Sequence, residues 1–411
     1  MQTISATYRV TTPMFLGGAK QQAELRLPSF KGVLRFWWRA LAWSAFEQNL
    51  SEIRKAEANL FGSADVGQSR LLMRWRVSVV QQPFRERLSP GLTYLAGMGL
   101  CRPNGELNRE ALAPGVRFTV EVALRKTLER NQSELLERAF IAIGLIGGLG
   151  ARTRRGYGSL TLEQLEGLQD AWSRPTSLSE VGRQFQHLLK TSNAPLNLPE
   201  PPFTAFGPST RIVLMQAQQK ASADLLECLG NELLRHRSYG RATGSGSREN
   251  TLGEQAENRF PADHDTMRDY LASGHQPATA PERAVFGLPH NYFFGSLSQG
   301  RDLQVKADVI PASHDRRASP LFLHIVECEK GPPVAVAAFL PAQFLPEGER
   351  IRIADASRDN RRNGLRRRRQ APVEVGLASN QWQPIKSFLD RLLDPNQHKE
   401  PFATVTEVKH G

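Results

Sequence analysis

From the third residue the chain alternates. Ile4, Ala6, Tyr8 and Val10 fall on one side of an extended backbone, and Ser5, Thr7 and Arg9 on the other, which predicts a strand over 3–11. Thr12-Pro13 and Gly17-Gly18 interrupt it. The period then lengthens. Val33, Leu34, Trp37, Trp38 and Leu41 recur at helical spacing behind Ser29, a good N-cap residue, so a helix is expected from Phe30 to Leu50. A second helical stretch, Ser51 to Leu60, stops at Phe61-Gly62-Ser63. Strands follow at Arg70–Val80 and Arg117–Leu124, separated by a Pro/Gly-rich excursion. Ser133 is placed to cap a helix through Gly144, and a glycine-rich stretch then leads into a strand from Ser159 to Leu165. The order is β-α-β-β-α-β, the ferredoxin-like (RRM-like) pattern.

Residues 167–210 hold a short helix, Leu178 to Lys190, and then Pro195, Pro199, Pro201, Pro202 and Pro208, the composition of a linker. The pattern begins again at a strand, Arg211 to Gln218, and a helix from Ser222 to Arg237. Residues 238–280 are rich in Gly, Ser and charge and are expected to be a long mobile insertion. Two apolar strands, Leu321–Cys328 and Val334–Phe339, flank a hairpin turn, Glu329-Lys330-Gly331-Pro332-Pro333. A helix from Asn380 to Leu393 and a strand from Phe402 to Val408 complete a second β-α-β-β-α-β. The expected class is therefore α+β: two tandem ferredoxin-like domains, 1–168 and 211–411, joined by a linker at 169–210 and carrying long loop insertions.

Composition narrows the reading. At 411 residues, two domains are the default. With 40% hydrophobic and 23% charged residues the chain is not wholly disordered. No apolar run approaches the ~18 residues that span a bilayer. The opening residues show no basic-then-apolar leader. Cys101, Cys228 and Cys328 lie too far apart in sequence for a metal knuckle or a disulfide framework. Together these point to a cytoplasmic chain with no membrane partner, no metal and no cofactor. Net charge is +12, and of 53 basic residues 42 are Arg. Arg matches phosphate bidentately, so the balance suggests a nucleic-acid partner; a GC-rich genome that drifts Lys to Arg is the other source of such a bias. Through residue 168 the balance is 23 basic against 14 acidic residues, so the first domain carries most of the excess.

Three segments bear chemistry. In Gly147-Gly148-Leu149-Gly150-Ala151-Arg152-Thr153-Arg154-Arg155-Gly156-Tyr157-Gly158, glycines allow close backbone approach, Arg152, Arg154 and Arg155 offer charge, and Tyr157 is an aromatic able to stack on a base. Gly148 and Gly150 make no dinucleotide fingerprint, because the loop follows a helix and enters a strand and lacks the third glycine and any Gly-Lys-Ser/Thr. A plain surface turn is the bland alternative. Second, Lys31, Arg35 and Arg39 are spaced i, i+4, i+8 on one face of the first helix, near an N-terminus that favours phosphate; the alternative is a solvated face, and the neighbouring tryptophans are expected in the core. Third, Arg361, Arg362, Arg366 and Arg367 belong to a run of seven arginines between 358 and 369, an RNA-type basic loop or a solvated one. Enzyme signals are thin. His236 beside Arg237, His314 beside Asp315 and Arg316, and Asp65 are the residues weighed as acid–base groups, with ordinary structural roles preferred.

Thr12-Pro13-Met14-Phe15-Leu16-Gly17-Gly18-Ala19, the block from Ala23 to Leu41 and the glycine loop together resemble the RAMP superfamily of CRISPR effector proteins, in particular subunits of the type III-B complex. Phe286-Gly287-Leu288-Pro289 and Arg316–Leu321 extend the likeness to the second half, while 160–280 is unfamiliar. The resemblance implies tandem ferredoxin-like domains and a non-catalytic RNA-binding subunit near the 3′ end of the CRISPR RNA. It further implies CRISPR RNA and target RNA as ligands and other RAMP subunits as partners. It carries the loop arginines and the Ser29–Arg39 helix start over as RNA contacts; the 361–369 run matches no motif. The alternatives are a metal-independent endoribonuclease that processes CRISPR precursor RNA, and a generic RNA-binding protein. Topology adds one expectation. The first helix leaves strand one and the glycine loop enters its neighbour, so Lys31 and Arg35 should lie close to Arg152, Arg154 and Arg155, with Tyr157 alongside.

Overall fold

The computed structural model describes residues 2–18, 22–77, 82–167, 171–189, 200–218, 220–243, 246–298, 302–360 and 367–409. They form a mixed α/β structure with several antiparallel sheets. The chain divides into two compact units. One comprises residues 1–232, 321–342 and 391–411; the other comprises 233–320 and 343–390. Two four-stranded antiparallel sheets fall in the first unit.

In the first unit, β1 (Thr3–Val10) is followed by α1 (Leu27–Ala45), α2 (Leu50–Phe61), β2 (Leu71–Val77), a short α3 (Pro90–Ala96), β3 (Arg117–Leu124), α4 (Arg130–Ile146) and β4 (Leu160–Glu166). The sheet order is β2-β3-β1-β4, all antiparallel. Alternation sets its faces: Ile4, Ala6, Tyr8 and Val10 are buried, as are Phe118, Val120, Val122 and Leu124 on β3. Tyr8 stacks on Phe118 and donates its hydroxyl to the Phe140 carbonyl of α4 at 2.8 Å, fastening helix to sheet. Leaving that hydroxyl unpaired would cost about 1–3 kcal/mol.

The first helix begins three residues earlier than expected. Ser29 does not cap it; Pro28 occupies its first turn, where a missing N–H costs nothing. Phe30, Leu34, Trp37, Trp38 and Leu41 form its buried stripe. The next helix is capped by Asn49, whose Oδ1 accepts from the Ser51 and Glu52 amides at 3.1 and 3.2 Å. Ser133, likewise expected as a cap, lies inside α4, one turn past its start.

The chain continues through α5 (Leu178–Leu189) to β5 (Arg211–Gln216), α6 (Ser222–Arg237), β6 (Leu321–Val326), β7 (Val334–Phe339), α7 (Gln383–Leu393) and β8 (Thr404–Glu407). The order of this second sheet is β6-β7-β5-β8. Strands β6 and β7 are buried along their whole length, which explains why they are apolar at every position but His324. The two sheets are stitched together: the Ile325 and Glu327 amides donate to Ser159 Oγ (3.3 Å) and Thr161 Oγ1 (2.8 Å), and Thr11 Oγ1 donates to the Ile325 carbonyl (3.1 Å).

The second unit has a sheet of its own, with strands in the order 290–293, 306–311, 351–355, 373–375. The stretch 238–280, expected to be mobile, contains a helix at Pro261–Ser273. Its buried Asp263 accepts from the Glu282 amide (2.6 Å), the Arg283 amide and Nε (both 3.0 Å) and the Tyr292 hydroxyl (3.1 Å). A buried carboxylate with four donors orders the segment that composition marks as loop.

Candidate nucleic-acid interface

The loop between α4 and β4 is held against the chain that leaves β1. The Ala151 amide donates to the Phe15 carbonyl at 2.9 Å, and the Gly158 amide to that of Pro13 at 2.9 Å. Gly150 takes φ +95°, and a Cβ there would stand 2.5 Å from the Phe15 oxygen. A Cβ on Gly148 would stand 2.7 Å from the Gly158 oxygen. These glycines serve the loop's own close packing.

That packing aims the arginines. Arg152 is exposed, adopts φ +63° and donates through Nε to the Ala96 carbonyl at 2.9 Å. Arg154 is half-buried; its guanidinium lies 4.5 Å from the Phe322 ring centre and 5.8 Å from that of Phe36, and it donates to Thr204 Oγ1 at 3.3 Å. Such cation–π contacts contribute about 0.5–2 kcal/mol. Arg155 is half-buried and pairs its backbone with Leu323 on β6.

Tyr157 does not flank a groove. It is fully buried, packs edge-on against Phe15 and donates its hydroxyl to the Leu92 carbonyl at 2.7 Å, and burial pushes its pKa far up. As placed here it cannot stack on a base.

On α1, Lys31, Arg35 and Arg39 share a face as their spacing requires. The structure adds a carboxylate that no stripe on one helix reveals: Glu57 of α2, with a side chain only 7% exposed, pairs with Arg35 Nε and lies 3.7 Å from Arg39 Nε. Arg39 also lies 5.7 Å from the Phe203 ring centre. Burial and the adjacent Arg35 both lower the Lys31 pKa. One acid thus tempers two arginines and holds their side chains in place.

The two motifs meet. Gly32, Val33, Phe36 and Trp37 of α1 face Gly147, Gly148, Thr153 and Arg154 of the loop across a cleft of about 220 Å³, with Ile146 and Phe322 completing it. Arg154 is the loop arginine that reaches the α1 side, whereas Arg152 turns toward α3.

In the second unit, Arg361, Arg362 and Arg366 lie outside the described residues. Arg367 is held by partners within the second unit. Its Nη1 pairs with Asp355 (2.6 Å) and Ser357 (3.0 Å), its amide with Asp359 (2.7 Å), and its Nη2 with the Leu271 carbonyl. A carboxylate on the neighbouring strand claims it. His236 is buried among Phe260, Phe286 and Phe388, with Nε2 3.0 Å from the Pro384 carbonyl, so it cannot reach a substrate. His314 is exposed, and Glu349 holds its Nδ1 at 2.8 and 2.9 Å. Asp65 sits in the turn after α2. Among the described residues, no group of three or more His, Cys, Asp or Glu is placed to hold a metal ion, and no helix is long and apolar enough to cross a membrane.

Residues 7–161 match the family model of the RAMP superfamily. The CRISPR system Cmr subunit Cmr1-2 of Pyrococcus furiosus is 28% identical over 173 residues, 38% of this chain and 91% of that protein. Subunit Cmr1-1 of the same organism is 28% identical over 151 residues, 35% of this chain, and the match spans 42% of that protein, less than half its length. The crystal structure of apo Cmr1 from Pyrococcus furiosus covers 99% of both chains with a TM-score of 0.52 at 18% identity, a likeness of fold. Residues 7–161, which hold both α1 and the glycine loop, are thus the part of the chain that is similar to the RAMP superfamily.

Proposed function

We propose that this chain is a non-catalytic, RNA-binding subunit of a type III-B CRISPR effector ribonucleoprotein. It holds CRISPR RNA near its 3′ end, target RNA, or both, beside other RAMP subunits. In this reading the two sheets of the first unit are the cores of tandem ferredoxin-like domains, 1–168 and 211–411, with 169–210 between them. RNA phosphates lie across Lys31, Arg35 and Arg39 and the loop arginines Arg152, Arg154 and Arg155. The observation that carries the reading is the convergence of α1 and the loop on one cleft. Backbone charge rather than base-edge recognition dominates such a surface, so affinity falls steeply with salt.

The test uses the full chain and a fluorescent single-stranded RNA. Arg35→Ala and Arg154→Ala should each weaken binding, the double variant by less than the sum because both grip neighbouring phosphates. Each loss should shrink as salt rises. Salt-independent binding, or no loss for either variant, would refute the reading. The competing assignment, a metal-independent endoribonuclease, has one observation in its favour: the exposed His314 oriented by Glu349. RNA cleavage that disappears in His314→Ala would establish it; no cleavage is expected.

A further inference from the structure

The cleft between α1 and the loop suits a flat heterocycle better than a phosphate. We propose that it takes one unstacked nucleobase of the bound RNA, an inference that rests on the RNA-binding reading. Its volume of about 220 Å³ is below the ~300–1,000 Å³ of sites that enclose whole ligands, so it has room for a single ring system. Val33, Phe36, Trp37, Ile146 and Phe322 are five of its ten lining residues. A phosphate there would lose its hydration against five apolar side chains for one guanidinium. A base instead presents π-faces to the aromatic rings. Arg154 and Thr153 stand at the polar side with donors and a hydroxyl for a base edge.

Gly32 supplies an independent observation. It lies inside α1, where any ordinary residue makes a better helix, yet a Cβ at this position would meet no atom within 4 Å. Across the cleft, a Cβ on Gly147 would stand 2.7 Å from Trp37 Nε1. Packing requires the glycine at 147 and does not require the one at 32. The missing side chain leaves bare backbone on the cleft wall, and a base lying against it gives that absence a reason.

The experiment compares the full chain with Gly32→Ala and Gly32→Leu. Each is titrated into a single-stranded RNA and into the same oligomer carrying abasic sites, across salt, with thermal melting alongside. Gly32→Ala should melt at or above the wild-type temperature. Gly32→Leu should weaken intact RNA about tenfold, the scale of one lost base stack, with its salt slope unchanged. Abasic RNA should bind wild type about as weakly, and Gly32→Leu should lose nothing more on it. If Gly32→Leu fails to fold, the abasic loss on wild type, its reduction in Gly32→Ala and the quenching of a 2-aminopurine base decide the matter. Wild-type affinity for intact RNA in Gly32→Leu, or equal losses on intact and abasic RNA, would overturn the base site and leave RNA binding standing. A wild-type chain that binds no RNA at any salt overturns both.

Discussion

His324, on β6, is 1% exposed, and its Nε2 has no hydrogen-bond partner among the described residues. Burial lowers its pKa from 6.5 to about 3, with the Gly144 and Leu160 backbone pulling the other way. The folded state therefore holds the ring neutral. Above pH 6.5 the ring is neutral in both states and titration contributes nothing to the pH dependence. As pH falls below 6.5 the unfolded chain takes up a proton that the folded chain refuses, so stability drops until the folded pKa near 3. One pKa unit is 1.36 kcal/mol, so at pH 5 the loss from this group is about 2 kcal/mol. Urea unfolding of wild type and His324→Leu at pH 8, 6.5 and 5 isolates it, since every other acid-labile group is common to both. The difference between the two proteins should change by about 2 kcal/mol from pH 8 to pH 5, in the direction that relatively favours the variant in acid. A difference that stays constant with pH would show that the ring titrates in the fold as it does in the unfolded chain.

Two further outcomes are expected. Glu57→Gln removes the carboxylate that Arg35 and Arg39 share, so RNA binding at low salt should tighten and the slope of log affinity against log salt should steepen by about 0.7, one more phosphate contact. Fluorescence anisotropy over a salt series measures it, and an unchanged slope would mean that the two arginines do not meet RNA. Tyr157→Phe leaves the Leu92 carbonyl without its 2.7 Å donor and should cost about 1–3 kcal/mol in urea unfolding while RNA affinity stays at the wild-type level. Lost affinity with unchanged stability would return Tyr157 to the RNA surface.

Where one face of an element is buried, its pattern was legible. The strand Arg117–Leu124 alternates in sequence and in burial alike, and the stripe Leu34, Trp37, Trp38, Leu41 marks a helix in both. Boundaries were less so: Ser29 and Ser133 are capping residues by type, yet Pro28 starts one helix and the other begins a turn before its serine. The sheet of the second unit was missed because its strands, 3 to 6 residues long, pair across gaps of tens of residues, too short for a period to emerge. At the candidate site, the meeting of α1 with the loop follows from strand adjacency, which the order of elements contains. Glu57 and Leu92 do not follow from it. A carboxylate on another helix and a carbonyl 65 residues upstream of Tyr157 are brought in by packing, which gives Arg35 an ion-pair partner and puts Tyr157 in the core.

The first unit is interrupted twice. The chain leaves it after Glu232, returns at Leu321, leaves again after Ala342 and returns at Arg391. The sheet of the second unit is assembled from both excursions, since Ala307–Pro311 from the first pairs with Ile351–Asp355 from the second. On a ribosome, which releases the chain from its N-terminus, neither unit closes in the order in which it is made. The strand 306–311 emerges some forty residues before its central partner, and β6 and β7 intervene. Strand β5 waits longer: it pairs with β8 through Gln216 and Thr404, almost two hundred residues apart. Until Thr404–Glu407 clears the exit tunnel, one edge of β5 stands open to wrong strands. A nascent chain stalled ahead of residue 404 should thus be the aggregation-prone species in its synthesis, with its defect in a strand made at the midpoint.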